Sequence, residues 1–145
     1  MTGKGRIITS DYWAPSYGGE PASARNLRKS RVTVKIKVSV IDGMHGRPAE
    51  GVQVSLVIRQ VGEPAIRVGG LTSSRGNFRY SSGAESRAYA ENCGVLIDVD
   101  AYFTSLGIVA GYKQIALQVR LANTDDECHI VTIITPFAHV AASIR

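Results

Sequence analysis

At 145 residues the chain has the length of one ordinary domain, too short for two independent cores. A hydrophobic content of 44% with 20% charged residues excludes a disordered or collagen-like chain, and no run of 18 apolar residues offers a membrane-spanning helix. The net charge of +5 suggests a polyanionic partner, but residues 1–31 carry six basic against two acidic side chains, which leaves the rest of the chain near neutral.

That leader, residues 1–31, is rich in Gly, Ser, Pro and Arg, has no sustained periodicity, and reads as a basic arm ahead of a domain at 32–145. Its run Asp11-Tyr12-Trp13-Ala14-Pro15-Ser16-Tyr17 holds the single Trp and two of the six Tyr. Two readings stay open for it: an aromatic segment that packs onto the body or a neighbouring subunit, or a solvated tail. The first thirty residues lack an apolar core of the kind a secretory signal needs. Cys93 and Cys128 are too few for a disulfide framework, so free thiols and a cytoplasmic protein are expected.

From Val32 the pattern changes. Val32, Val34, Ile36, Val38 and Val40 alternate with Thr33, Lys35, Lys37 and Ser39, the period of a strand. The stretch from Asp42 to Gly51, with three Gly and Pro48, reads as a turn. Val52, Val54 and Leu56 alternate again, and Ala65 to Gly70 can form a short strand. Ser73 to Asn77 turns the chain into Phe78-Arg79-Tyr80, and Gly94 to Val99 reads as a buried strand. Asp100 to Leu106 is the one helical segment. Strands over Gln114–Leu121, His129–Thr135 and Phe137–Ile144 complete the set, the last two separated by Pro136. Short strands with regular turn signals predict an all-β sandwich or barrel.

Three segments, in order and at matching separations, resemble one known family. Val40-Ile41-Asp42 followed by His45-Gly46-Arg47-Pro48-Ala49 is similar to its Val-Leu-Asp and His-Gly-x-Pro-Ala entry. Asp98, then Ala101-Tyr102-Phe103 and Leu106-Gly107-Ile108, looks like the strand that runs into its single helix. Ile133-Ile134-Thr135-Pro136-Phe137 is similar to its Leu-Leu-Ser-Pro-aromatic corner. The family is that of transthyretin and the 5-hydroxyisourate hydrolases, and the likeness spans about residues 34–144. It implies a transthyretin-like two-sheet β-sandwich of eight strands with one short helix. It also implies edge-paired dimers that join into a homotetramer, enclosing a channel that binds hormone in transthyretin and carries the active sites in the hydrolases. Edge strands such as His129–Thr135 need such partners.

The resemblance further implies a catalytic set, and this chain departs from it. The hydrolases place a histidine immediately before Val-Leu-Asp, where this chain has Ser39, and an arginine after the turn glycine, where it has Asn77. Their histidine seven residues before the corner proline is present as His129. Their terminal Tyr-Arg-Gly-Ser falls on Ala142-Ser143-Ile144-Arg145. Ser39 is no base near neutral pH and Asn77 binds without charge, so hydrolysis of hydroxyisourate is not the expected main activity.

Period two then indicates what would line the channel. Thr33, Lys35, Lys37, Ser39 and Ile41 share one face of the first strand; Glu127, His129, Val131, Ile133 and Thr135 share one in the seventh; Val140, Ala142 and Ile144 share one in the last. The deep part is expected to be Ile41, Val131, Ile133, Val140 and Ala142, with Lys37, Arg79 and Glu127 nearer the mouth. His129 is the candidate acid/base and Ser39 and Asn77 its catalytic partners, while Lys37, Ile41, Arg79, Val131, Ile133, Val140 and Ala142 are candidate substrate contacts. His45 and His139 read as structural. No cofactor is expected, and no metal, since neither cysteine has metal-ligand spacing to a histidine. The leading expectation is a diverged enzyme that opens, closes or isomerises a small, fairly apolar cyclic or carbonyl compound. Alternatives are a non-catalytic small-molecule binder, a residual hydroxyisourate hydrolase and, weakest, binding of nucleic acid through the arm.

Overall fold

Alternating apolar and polar residues give each strand one face for the core and one for solvent. The computed structural model of the chain, which describes residues 34–82, 90–121 and 127–144, pairs these strands into two sheets. In chain order the elements are β1 (Lys35–Asp42), β2 (Arg47–Pro48), β3 (Gln53–Gln60), β4 (Glu63–Leu71), β5 (Asn77–Ser81), β6 (Ala90–Asp98), α1 (Val99–Ser105), β7 (Gln114–Arg120), β8 (Cys128–Ile134) and β9 (His139–Ile144). The first sheet runs β9-β8-β1, so β8, expected at an edge, is interior and β9 takes the edge; β1 then pairs with β2 near its C-terminal end and with β5 along its N-terminal part. The second has the order β4-β3-β6-β7. β1 and β8 are parallel; the other pairs are antiparallel.

The core lies between the sheets. Ile36, Val38 and Val40 of β1 with Ile130 and Ile134 of β8 form one buried cluster with Val54, Leu56 and Ile58 of β3 and Cys93, Val95 and Ile97 of β6. Each fully buried aliphatic side chain contributes about 1.5–3 kcal/mol. Burial therefore fixes the register of β1, because a slip by one residue would turn Lys37 and Ser39 into the core.

The two-sheet sandwich with one short helix is the expected architecture, with nine strands among the described residues rather than eight. The extra one is β2, inside the stretch read as a turn. Gly46 at φ +66 reverses the chain, and Arg47 and Pro48 return opposite Asp42 and Ile41. A two-residue strand carries no periodicity, so its Gly and Pro read only as punctuation. β4 is longer than Ala65–Gly70, and β9 begins at His139 rather than Phe137, because Thr135 and Ala138 close a turn around Pro136 and Phe137. The leader with Tyr12, Trp13 and Tyr17, and Thr33 and Arg145, lie outside the described residues.

The helix is short and strongly capped. The Asp98 carboxylate accepts from Ala101 N–H at 3.0 Å. At the other end Gly107, at φ +77, donates to Thr104 O, and Ile108 N–H reaches back to Phe103 O. Between these caps Tyr102 and Phe103 are buried.

Candidate functional site

The register of the first sheet sets the candidate residues in cross-strand rows on its outer face. Asn77 of β5 lies opposite Ser39 of β1, which lies opposite Val131 of β8 and, through it, Ala142 of β9. The next row toward the start of β1 is Arg79, Lys37, His129 and Ile144. The row on the other side is Ile41, Ile133 and Val140. A polar row thus runs between a cationic row and an apolar one, and the apolar row is open: Ile41 is 37% exposed, Ile133 42% and Val140 65%.

Local structure explains how Asn77 reaches Ser39. The turn before β5 is closed by Gly76 N–H on Ser73 O and Ser73 N–H on Asn77 O, while Val40 N–H holds Gly76 O. Gly76 has φ +76, and a Cβ there would stand 2.5 Å from Val40 O, so only glycine fits. One residue later Phe78 turns inward, where a Cβ on Gly70 of β4 would meet its ring at 2.8 Å. From the other side, the buried Thr132 hydroxyl donates to Ser39 O at 3.2 Å.

These supports converge on one hydroxyl. Ser39 Oγ donates to Asn77 Oδ1 at 2.8 Å and lies 2.8 Å from His129 Nε2. With its proton on Asn77, Ser39 accepts from His129 Nε2–H, and Nδ1 carries the imidazole lone pair. Burial holds the pKa of His129 below its ordinary value, helped by the positive charges of Lys37 and Arg79 and opposed by Glu127. At neutral pH the ring is therefore uncharged and able to take a proton. The Arg79–Glu127 pair, at 4.0 Å and largely exposed, adds little stability. The site so built can move protons and bind polar atoms beside an apolar wall.

Among the described residues, no group of three or more His, Cys, Asp or Glu could hold a metal ion. Cys128 and His129 take opposite faces of β8, the thiol buried and the ring half-buried. Cys93 is also buried, and burial followed by the nearby Cys128 pushes its pKa up to about 12, so it stays a thiol. His139 stacks at a tilt on Tyr112, with ring centres 5.6 Å apart.

A second polar cluster stands at the far end of β1. Asp42, fully buried, accepts from Tyr102 Oη at 2.7 Å, from His45 Nδ1 at 2.7 Å, and from the backbone N–H groups of Met44 and His45 at 2.9 Å. Burial pushes its carboxyl up, but the bonds from Tyr102 and His45 outweigh that and hold it below the usual range. The same contact, after burial, pushes Tyr102 up to about 12. The cluster ties α1 to β1 and turns His45 into a strut. Sequence reasoning named these residues without linking them, and it missed Thr132. The one available signal for Thr132 was a polar residue on the core-facing alternation of β8.

With the geometry established, the chain's likeness to known proteins falls into place. A family model described as HIUase/Transthyretin family matches residues 36–141. No curated protein sequence matches the chain. Among solved structures, the fold is similar to that of 5-hydroxyisourate hydrolase from Klebsiella pneumoniae, with a TM-score of 0.60 and 20% identity, covering 77% of this chain and 99% of that one. An (S)-allantoin synthase structure superposes with a TM-score of 0.69 at 20% identity, over 86% of this chain and 49% of the other. Transthyretin from Sparus aurata gives 0.65 at 17%, over 75% and 95%. At these identities the likeness speaks for the fold, while the side chains on the open face are this chain's own.

Proposed function

The chain belongs to the HIUase/transthyretin family, and from that premise we propose that it is an enzyme of altered specificity, acting on a small, fairly apolar cyclic or carbonyl compound. The reaction is a ring opening, ring closure or isomerisation. His129 serves as acid and base, Ser39 and Asn77 hold the polar atoms of the reacting group, and Ile41, Val131, Ile133, Val140 and Ala142 receive the apolar body. Lys37 and Arg79 face negative charge that develops near His129. The observation that carries this reading is the hydrogen-bonded set Asn77–Ser39–His129, which links the polar row to the cationic one beside an exposed apolar row. Two polar side chains held on one hydroxyl are more than a passive apolar binder needs.

Members of this family are typically oligomeric, and we propose a homotetramer, a dimer of dimers, whose channel is walled by this face. The exposed Ile133, Val140 and Ile144 support it, since a lone sheet would leave that surface in water. The buried free thiols of Cys93 and Cys128 suit the cytoplasm. Among the described residues no helix is long and apolar enough to cross a membrane.

His129→Ala tests the chemistry. Turnover of a substrate found by screening lactams, lactones and cyclic enones should fall by about 10²–10⁴-fold while ligand affinity is kept. Unchanged turnover would remove His129 from the catalysis, and binding without turnover of any compound in the screen would leave a binder. Hydroxyisourate hydrolysis should be slow in the wild-type chain and rise in the Ser39→His/Asn77→Arg double variant. A wild-type rate equal to that of the double variant would instead identify a residual hydrolase.

A further inference from the structure

The contact of Ser39 with His129 allows the hydroxyl more than a substrate-holding role. It lies half-buried in the middle of β1, its carbonyl is pinned by Thr132, and its oxygen is 2.8 Å from the one histidine of the site and 2.8 Å from an amide. A serine oxygen within hydrogen-bond reach of an imidazole is the basic requirement of nucleophilic catalysis. From this geometry we infer that Ser39 is the nucleophile of a covalent pathway, attacking a carbonyl carbon of the substrate to give an acyl-serine. The inference rests on the catalytic reading of His129 given above and deepens it.

The neighbours supply the other parts. An amide presents either its oxygen or its N–H₂ to the same position after a half-turn of its last torsion. With Nδ2 toward Ser39 and the serine proton toward His129, Asn77 becomes a donor beside the attacking oxygen. The oxygen of a carbonyl under attack by Ser39 is two bonds from Oγ in the tetrahedral adduct, so an Asn77 N–H beside Oγ is near enough to stabilise the oxyanion. Lys37 and Arg79, in the adjacent row, favour the same negative charge. The neutral ring of His129, in the tautomer with its hydrogen on Nδ1, turns the Nε2 lone pair toward Ser39 and can accept its proton.

The atoms balance without a cofactor. As Ser39 Oγ bonds to the carbonyl carbon, its proton passes to His129 Nε2 and the carbonyl π pair moves to oxygen. When that pair returns, the ring C–N or C–O bond breaks, and the leaving nitrogen or oxygen takes the proton from His129. The ring is now open and its acyl carbon is esterified to Ser39. Water then attacks this ester, gives a proton to His129 Nε2, and Ser39 Oγ leaves and recovers that proton. The net change is addition of water across one ring bond.

The test uses phenylmethylsulfonyl fluoride and p-nitrophenyl acetate on the full chain, read by intact mass and peptide mapping. One sulfonyl adduct per chain is expected, on Ser39, with a burst of about one p-nitrophenolate per chain. Labelling should slow at least about 10²-fold in His129→Ala. Ser39→Ala should lose adduct and burst together; if it does not fold, Ser39→Cys serves, its thiol alkylated by iodoacetamide faster with His129 than without. No adduct on wild-type Ser39, or an adduct confined to lysines, overturns the nucleophile. If in addition His129→Ala still abolishes turnover, the acid/base reading survives its loss. If His129→Ala leaves turnover intact, both readings fall.

Discussion

In the proposed reaction His129 carries the acid–base chemistry, and its surroundings determine over which pH range it can. Burial first, then Lys37 and Arg79, lower its pKa, while Glu127 raises it. A base works in its unprotonated form, so the rate should fall as pH drops through the lowered pKa, with the acid limb below the ordinary value of 6.5. The same shift contributes folding stability that is present above 6.5 and is lost as pH falls through the folded-state pKa. Lys37→Met removes a positive neighbour and should move the acid limb of kcat/KM to higher pH. Glu127→Gln removes the opposing charge, and also frees Arg79 from its partner at 4.0 Å, so it should move the limb to lower pH. Opposite shifts in the two pH–rate profiles identify His129 as the titrating group; shifts of the same sign would assign the limb elsewhere. Much of this was legible in the sequence, because alternation alone puts Lys37, Ser39, His129 and Val131 on outward faces. What alternation could not provide is the diagonal reach of His129 to Ser39. That depends on the parallel register of β1 against β8, between residues 90 positions apart.

At the level of elements, the site depends on how β5 starts. Asn77 read as the last residue of a turn, and it is the first residue of β5, opposite Ser39. The sequence signal for that placement is Gly76 alone, since a left-handed residue with no room for a Cβ ends the turn there and nowhere else. Gly76→Ala sets a Cβ against Val40 O, and the strain of the positive φ adds to the clash. A loss of about 1–3 kcal/mol is expected in urea unfolding, with an unchanged m-value. The turnover loss should exceed what the unfolded fraction explains, because Asn77 moves with the turn. A variant that is destabilised yet fully active per folded chain would detach Asn77 from the mechanism. The helix makes the converse point. Its caps were readable from Asp98 and Gly107, but its purpose was not, since Tyr102 reaches Asp42 over 60 residues of sequence.

At the scale of the whole molecule, the sandwich follows from burial, whereas the open face does not. The inward residues of β1, β3, β6 and β8 explain themselves by forming one core. Ile133 and Val140 alternate out of that core and stay 42% and 65% exposed, beside Ile144 at 51%. Among the described residues none of the three belongs to the buried core, and water disfavours apolar side chains at such positions. The proposed self-assembly through this face would cover them, and would enclose Asn77, Ser39 and His129 in the same step. Val140→Glu separates folding from assembly, because Val140 contributes nothing to the buried core. Its thermal unfolding as a chain should change by no more than about 0.5 kcal/mol beyond what is lost with the interface. Sedimentation should show the oligomer replaced by smaller species, since a charge in each copy of a symmetric contact is repeated across it. Turnover should fall with the assembled fraction and recover at high protein concentration. An assembly of unchanged mass with unchanged turnover would mean that the wall of the site lies elsewhere, and the outward apolar row of β8 and β9 would need another partner.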